Sequence, residues 1–434
     1  MNKPLPLLAA VAALFGTGAY AQTAPTVQEQ TGTPGTPAAA APADKPYVAP
    51  RNLSEWASSI KLDFQVDGGI TGNPDDPRSR RNFGRLFDDN ANRPVLNQAM
   101  VTYHRDVDPK ATSIDVGFKL QAIYGSDARI VHVLGVLDQL IHDRNQIAVT
   151  EASVSVRFPD LFAGGMDLKA GLYPTPLGFE LIDPKSNPFY SHSYIFNYGL
   201  PFEHVGALAT AHVSDTIDLY LGIDSGTNVA VGYGSGDNNN RPGGIAGIGW
   251  NAPGGKFTVL ALTHMGPENS KRNTPFANSA MRYYNDVVVT WKTTDKLTLT
   301  TEFNYVQEDG FNANAYGAAG YASYALSDTL TLNGRAEIFR DNQNFFVSTP
   351  RSSLDYVNLE RGVFSNFITS PRAATYTGLT AGVTYKPSGM PAALSTVMFR
   401  PEVRWDRTLE GIRVFNDGRS RNQVTLAADA IVGF

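Results

Sequence analysis

The last thirteen residues, Asn422–Phe434, most constrain what this chain can fold into. Counted back in twos from the terminus, Phe434, Val432, Ala430, Ala428, Leu426 and Val424 are apolar, while Asp429, Thr425 and Gln423 occupy the other parity. Side chains alternate across a strand, so one face of this segment suits hydrocarbon and the other suits water. A final aromatic residue on such a strand fits a closed transmembrane barrel, whose last strand pairs with its first and leaves no edge. The competing reading is the terminal strand of a soluble sandwich. The rest of the chain decides.

The alternation recurs. Ile60, Leu62, Phe64 and Val66 share one face of the first segment, opposite Lys61, Asp63, Gln65 and Asp67. Ile114, Val116, Phe118, Leu120 and Ala122 repeat this against Asp115, Lys119 and Gln121. Similar segments fall near 98–104, 146–158, 166–173, 203–213, 216–224, 243–250, 256–265, 283–292, 296–307, 315–326, 329–340, 375–386, 396–407 and 422–434. About sixteen strands result, an even number, as single-chain bacterial barrels require. Short turns such as Val213–Thr216, Asn251–Gly255, Lys292–Lys296 and Leu326–Thr329 alternate with long connections at 173–202, 224–242, 265–282 and 341–374. A membrane imposes that alternation; a sandwich has no reason to keep it. The expected fold is therefore all-β, a closed antiparallel transmembrane β-barrel with short periplasmic turns and long extracellular loops. No run of about 18 apolar residues occurs, which excludes a helical span. One segment departs from strand periodicity: Ile130, Val133, Leu134, Leu137, Leu140 and Ile141 recur at helical spacing. With Ser126 or Asp127 able to cap, they predict a short loop helix on the barrel rim, a strand extension being the alternative.

The N-terminus reads as an export signal over 1–21: Lys3, an apolar core from Leu5 to Phe15, and Ala19-Tyr20-Ala21 before the cut. Residues 22–57 read as a disordered Pro/Ala-rich periplasmic tail, and 58–434 as the outer-membrane barrel. Removing the signal takes away one of 36 basic residues and none of 41 acids, leaving a formal charge of −6. An exported acidic chain is a poor nucleic-acid binder. The absence of Cys excludes disulfides, thiol catalysis and cysteine metal sites.

Strand parity selects the groups that face the lumen: Lys61, Asp63, Asp115, Lys119, Glu151, Arg157, Asp167, Lys169, Asp218, Asp286, Glu302, Arg335, Glu337, Arg400, Glu402, Arg404, Asp406 and Asp429. The sharpest case is Phe399–Asp406, where Phe399, Pro401, Val403 and Trp405 alternate with Arg400, Glu402, Arg404 and Asp406. An Arg turned to lipid near the midplane costs about 2–4 kcal/mol, so this parity is strongly determined. Mixed-sign columns orient water and polar solutes, or else pair and stiffen the wall. Acids without a basic neighbour on their own strand, including Asp63, Asp218, Asp286, Glu302 and Asp429, predict mild cation preference. The loop arginines Arg78, Arg80, Arg81 and Arg85 oppose it if they enter the mouth.

The connection from Tyr173 to Phe202 is too apolar and proline-rich for a solvated loop, and its aromatics need burial. It is expected to fold into the barrel mouth as a constriction, with Phe179, Glu180, Asp183, Lys185, Tyr190, His192 and Tyr194 as its candidate residues; a lid over the rim is the alternative. Gly171–Glu180, Asn187–Asn197 and Pro201–Gly206 resemble the β-barrel porin family of OmpL-like outer-membrane proteins, a likeness running from about Leu62 to Phe434. The resemblance implies a channel of loosely defined substrate and carries over no binding residues. The expected function is passive diffusion of small hydrophilic solutes or ions across the outer membrane of a Gram-negative bacterium. The alternatives are a structural anchor with a plugged lumen and, further off, a hydrolase using His192 with Ser191 or Ser193 and Asp183. No enzyme activity, cofactor or metal is expected, because neither a calcium-loop pattern over Tyr233–Pro242 nor His/Cys metal spacing is present. Expected partners are outer-membrane lipid, the barrel-assembly machinery acting on Phe434, and the solutes, with homo-oligomerisation left open.

Overall fold

The computed structural model describes residues 50, 52–232 and 238–434. The export signal, the tail up to residue 49, and part of the Tyr233–Pro242 turn segment lie outside the described residues. The tail's expected last residues instead form the helix Leu53–Ser58, capped by Asn52. Trp56 anchors it, donating to the Val116 carbonyl at 2.9 Å under the Arg105 guanidinium.

One antiparallel sheet makes up the wall. Its strands are β1 (Lys61–Gly72), β2 (Pro94–Arg105), β3 (Asp115–Gly125), β4 (Gln146–Phe158), β5 (Met166–Pro174), β6 (Glu203–His212), β7 (Ile217–Thr227) and β8 (Gly243–Asn251). They continue with β9 (Phe257–Pro267), β10 (Met281–Lys292), β11 (Leu297–Glu308), β12 (Ala313–Ser327) and β13 (Leu330–Asp341). A small hairpin outside the wall, β14 (Ser348–Pro350) with β15 (Phe367–Thr369), interrupts the sequence. The wall resumes with β16 (Ala374–Tyr385), β17 (Thr396–Phe399), β18 (Glu402–Thr408) and β19 (Asn422–Gly433). β17 and β18 are one strand broken at Pro401, which has no N–H to give to the ladder. Counted as one they make sixteen, and each strand pairs with its sequence neighbours in the wall.

β19 closes the barrel on β1, with Val66 opposite Val432 and Ile70 opposite Ala428. Phe434 seals the seam: its N–H donates to the Phe64 carbonyl at 2.8 Å, and the Phe64 N–H returns the bond. Leu62, Phe64, Val66, Val403, Val424 and Leu426 are exposed on the outer face, where a membrane covers them. Deleting Phe434 is expected to lower the amount of heat-modifiable barrel inserted per unit time, because both seam bonds and the terminal ring go. Insertion kinetics equal to those of the full chain would count against that role.

Connection lengths follow the alternation with two exceptions. The β11–β12 turn spans only 309–312, tightened by Asn312 at φ 48°, and the β16–β17 turn runs over 386–395. The loop helix expected after Ser126 does not form. A single 3₁₀ turn, Asp127–Arg129, gives way to irregular chain, and Ser126 makes no side-chain cap. Gly135 at φ 84° and Leu137 at φ 58° are incompatible with a right-handed helix. Nor does the segment extend a strand; Leu134 instead bridges to Val229 in a neighbouring loop.

Candidate functional site

The connection between β5 and β6 turns into the barrel and fills much of its width. Its base continues the ladder, Thr175 N–H donating to the Phe202 carbonyl at 2.9 Å. Gly178, at φ 92°, turns the chain inward, and nearly every residue from Leu177 to Phe202 is buried. Two short helical turns shape it: Pro184–Ser186, and Tyr194–Tyr198, capped by the Ser193 hydroxyl at 3.0 Å from the Phe196 N–H. Its aromatics find partners there. Phe179 packs on Tyr321 at 4.5 Å between ring centroids, Tyr194 stacks on Tyr376 at 5.3 Å, and His192 stacks on Phe196 at 4.1 Å.

What holds the loop is the charged wall column. The Arg335 guanidinium donates to Glu180 at 2.8 Å and to the Ser191 carbonyl at 2.7 Å. Glu337 accepts from the Tyr194 N–H at 2.6 Å, Glu302 from the Phe179 N–H at 3.1 Å, and Glu402 from the Tyr190 N–H at 2.9 Å. Arg400 pairs with Asp429 and donates to the Pro184 and Asn187 carbonyls, both at 2.7 Å. Arg404 bridges Glu337 and Asp406, each at 2.9 Å, donates to the His192 carbonyl and covers the Tyr194 ring. Backbone groups with no ladder partner are thus satisfied by ions of opposite character, bonds worth about 1.5–3 kcal/mol each.

A second inward loop, between β1 and β2, adds to the plug. Arg85 is fully buried and reaches Asp406 at 2.7 Å and Asp88 at 2.6 Å. Asp89 beside it takes Arg81, Arg129 and Arg144. Arg78 and Arg80 stay exposed. Arg85 therefore arrives already paired, while Arg81 shares one carboxylate with Arg129 and Arg144.

The other parity-selected groups lie away from this latch. Lys119 and Lys169 both pair with Glu151, at 3.1 and 3.0 Å; Arg157 pairs with Asp167 at 2.9 Å, and Asp115 with Arg105 at 2.9 Å. His212 bridges Asp167 and Asp218, and His104 sits 2.9 Å from an exposed Asp63. Lys61 is exposed. Asp286 is buried beside Asn304, which also holds the Gly199 carbonyl. Of the loop candidates, Asp183 meets Gln65 and Lys185, and Tyr190 meets Asn97. The sequence-based candidates left out the neutral hydrogen bonders: Gln65, which parity places on the inward face, and Gln98, Tyr321 and Asn333, which occupy the same inward positions. Asp67, on the inward face but passed over, lines with Asn97, Asp127, His192 and Arg400 a cavity of about 10 Å³, the room of one water.

Glu180 shows how firmly the latch is set. Burial alone pushes its carboxyl up, but Arg335 and then His192 outweigh that and hold it at about 2, against about 4.3 for an ordinary glutamate. A depressed carboxylate contributes stability that is complete above its unfolded value and is lost as pH falls through the folded one. Conductance is therefore expected to stay flat from neutral pH to about 4.3 and to rise only between there and about 2. A rise already complete at pH 5 would mean that another group releases the loop.

A family model described as "Putative beta-barrel porin-2, OmpL-like" matches residues 59–434. The chain belongs to this family. No curated protein sequence matches it. Solved structures with the same fold include the outer membrane channel DcaP of Acinetobacter baumannii, at 10% identity and TM-score 0.52 over 86% of this chain and 96% of that one. Pseudomonas putida OprB matches at 12% identity and TM-score 0.53, covering 87% and 95% of the two chains. Salmonella typhi OmpF, in a complex with daunomycin, matches at 10% identity and TM-score 0.52, covering 86% and 97%. The protein is an outer-membrane porin by family and a sixteen-stranded barrel by fold. In this porin the hydrolase geometry does not come together. His192 Nδ1 faces Glu180 at 2.8 Å rather than Asp183; the Ser191 hydroxyl takes Arg335 and the Ser193 hydroxyl caps a helix.

Proposed function

We propose that this porin passes small hydrophilic solutes or ions through a lumen narrowed by the 175–202 loop, and that this loop sets the resting conductance. The observation that supports the reading is the use of Arg335, Glu337, Arg400, Glu402 and Arg404 to bind loop backbone. A wall serving only an open pore has no need of such partners. Planar-bilayer recording tests it: small unitary currents in the full chain, larger ones when the loop is released. The same dense packing favours a second reading, an anchor barrel whose lumen never conducts. Silence of both the full chain and a folded loop-released variant would select the anchor. Lipid and the assembly machinery are the partners in either case and the solutes only in the first, and the oligomeric state is read from the mass of the unheated complex.

Selectivity belongs to the same proposal. Several acids that lack a basic neighbour on their own strand have one across the sheet, Arg400 for Asp429 and His212 for Asp218. Asp286 and Glu302 are bonded instead to neutral donors, Asn304 and the Phe179 N–H. They also hydrogen-bond each other, and the charge this buried pair retains carries the expected cation preference, which salt should weaken. Asp286→Asn with Glu302→Gln is expected to move the reversal potential in a salt gradient toward zero. Anion preference in the unmutated protein would overturn the assignment.

A further inference from the structure

A second group of polar side chains converges at the extracellular end of the wall, where β6 begins and β7 and β9 end. His204, Asp224 and His264 each offer one ligand atom, all within 4.8 Å of one another, and all three residues are buried. His204 Nδ1 lies 3.3 Å from Asp224 Oδ2, and His264 Nε2 lies 3.1 Å from Asp224 Oδ1. Tetrahedral ligands about 2.0–2.1 Å from a zinc ion stand about 3.3 Å apart, so each imidazole already lies near ligand spacing from one or the other oxygen of Asp224.

The backbone is built to allow this. β6 and β7 change register between His204 and Gly206, which pair with Thr227 and Asp224, leaving Ser225 and Gly226 as a bulge. Bulges of this kind re-aim a side chain, and Gly226 supplies the positive φ, 115°. β8 runs between Asp224 and His264, and the residue it places there is Gly243. A Cβ on Gly243 would lie 2.7 Å from Asp224 Oδ1 and 2.8 Å from His264 Nε2. Its missing side chain lets the two meet across an intervening strand.

One outer nitrogen is hydrogen-bonded as metal-binding imidazoles are, and the other faces a carboxylate beyond hydrogen-bond distance. His204 Nε2 is 3.1 Å from the Thr175 hydroxyl. His264 Nδ1 is 3.9 Å from Glu268 Oε1, and Glu268 is anchored through its other oxygen by the Thr227 N–H at 2.7 Å. The Thr175 contact suits a proton on His204 Nε2 and leaves Nδ1 to a metal, whereas His264 Nδ1 has no hydrogen bond and its Nε2 meets Asp224, a contact an ion would replace. On the near side, His204 Nδ1 and Asp224 Oδ2 are buried without an aligned hydrogen bond. These two atoms lie 3.3 Å apart with no hydrogen bond between them, and an ion placed there would satisfy both.

We propose that His204, Asp224 and His264 bind a divalent transition-metal ion of the zinc class, with water completing the shell and Thr175 and Glu268 orienting the rings. Two imidazoles and a carboxylate suit zinc, nickel or copper rather than calcium or magnesium. Because Thr175 stands at the base of the lumen loop, the ion staples that base to β7 and β9.

The test uses the full chain in detergent, stripped with a chelator, then titrated with Zn²⁺ by calorimetry and with Co²⁺ by visible absorption. One equivalent of Zn²⁺ per chain is expected, with the intense Co²⁺ bands of a tetrahedral site. His264→Ala and Gly243→Ala should each abolish the stoichiometric step while the barrel still shifts on unheated gels. If either variant fails to assemble, Glu268→Gln, which keeps all three ligands, should weaken Zn²⁺ by about 10–100-fold. No stoichiometric uptake by the unmutated chain would overturn the proposal and leave the three side chains as a buried hydrogen-bonding cluster. Uptake unchanged in folded His264→Ala and Gly243→Ala would overturn it too, placing the metal elsewhere.

Discussion

Replacing Phe179–Tyr198 with a short Gly/Ser link between Gly178 and Gly199 is expected to raise single-channel conductance and sugar flux several-fold in a barrel that still assembles. Assembly should survive because the β5–β6 ladder, from Met166 opposite Ala211 to Pro174 opposite Glu203, uses nothing from the excised segment. The freed wall ions should also be tolerated. Removing one partner of a buried pair is costly because the other charge stays buried. Removing the whole loop instead admits water to Arg335, Glu337, Glu402 and Arg404 together, and hydration replaces the lost bonds. Sixteen-stranded walls of this kind enclose an aqueous channel when nothing fills them. Liposome swelling with sugars of increasing size, beside bilayer recording, measures the opening. Unchanged conductance in a heat-modifiable variant would shift the barrier to the other inward loop, the one carrying Arg85.

How far the sequence foretold this arrangement depends on the range of each interaction. Strand parity is local and has period two, so Leu62, Phe64 and Val66 fell on the outer face and Arg400, Glu402 and Arg404 on the inner one. The inward course of the 175–202 loop was also legible, since Phe179, Tyr190, Tyr194 and Tyr198 require burial that a solvated loop cannot provide. Partnership was not. Asp429 has no basic neighbour along β19, but register sets it against Arg400, and register between strands is not written in either strand alone. Arg85 reaches Asp406 across 321 residues of chain, and Asp224 and His264 meet across a strand where Gly243 leaves a gap. The loop after Ser126 misled for a different reason. Its apolar spacing is helical, but Ile130 and Val131 are buried in the barrel core while Leu140 is exposed, so tertiary packing overrode local periodicity.

Arg404→Ala is expected to destabilise the barrel by about 3–5 kcal/mol, the range found when one member of a buried ion network is removed. The substitution leaves Glu337 and Asp406 buried and close together, with only Arg335 and Arg85 still beside them. It also withdraws the donor from the His192 carbonyl and the cation from the Tyr194 ring. Both losses fall on the loop, so conductance should rise along with the loss of stability. Arg404→Lys should recover only part of either property, because an ammonium cannot span Glu337 and Asp406 as a planar fork does. The triple replacement Arg404→Met, Glu337→Gln and Asp406→Asn removes the stranded charges as well and should be less destabilised than Arg404→Ala alone. Urea titration of the folded-to-unfolded gel shift measures the order of the variants. A triple variant weaker than the single one would mean that the network adds stability beyond the compensation of its own charges.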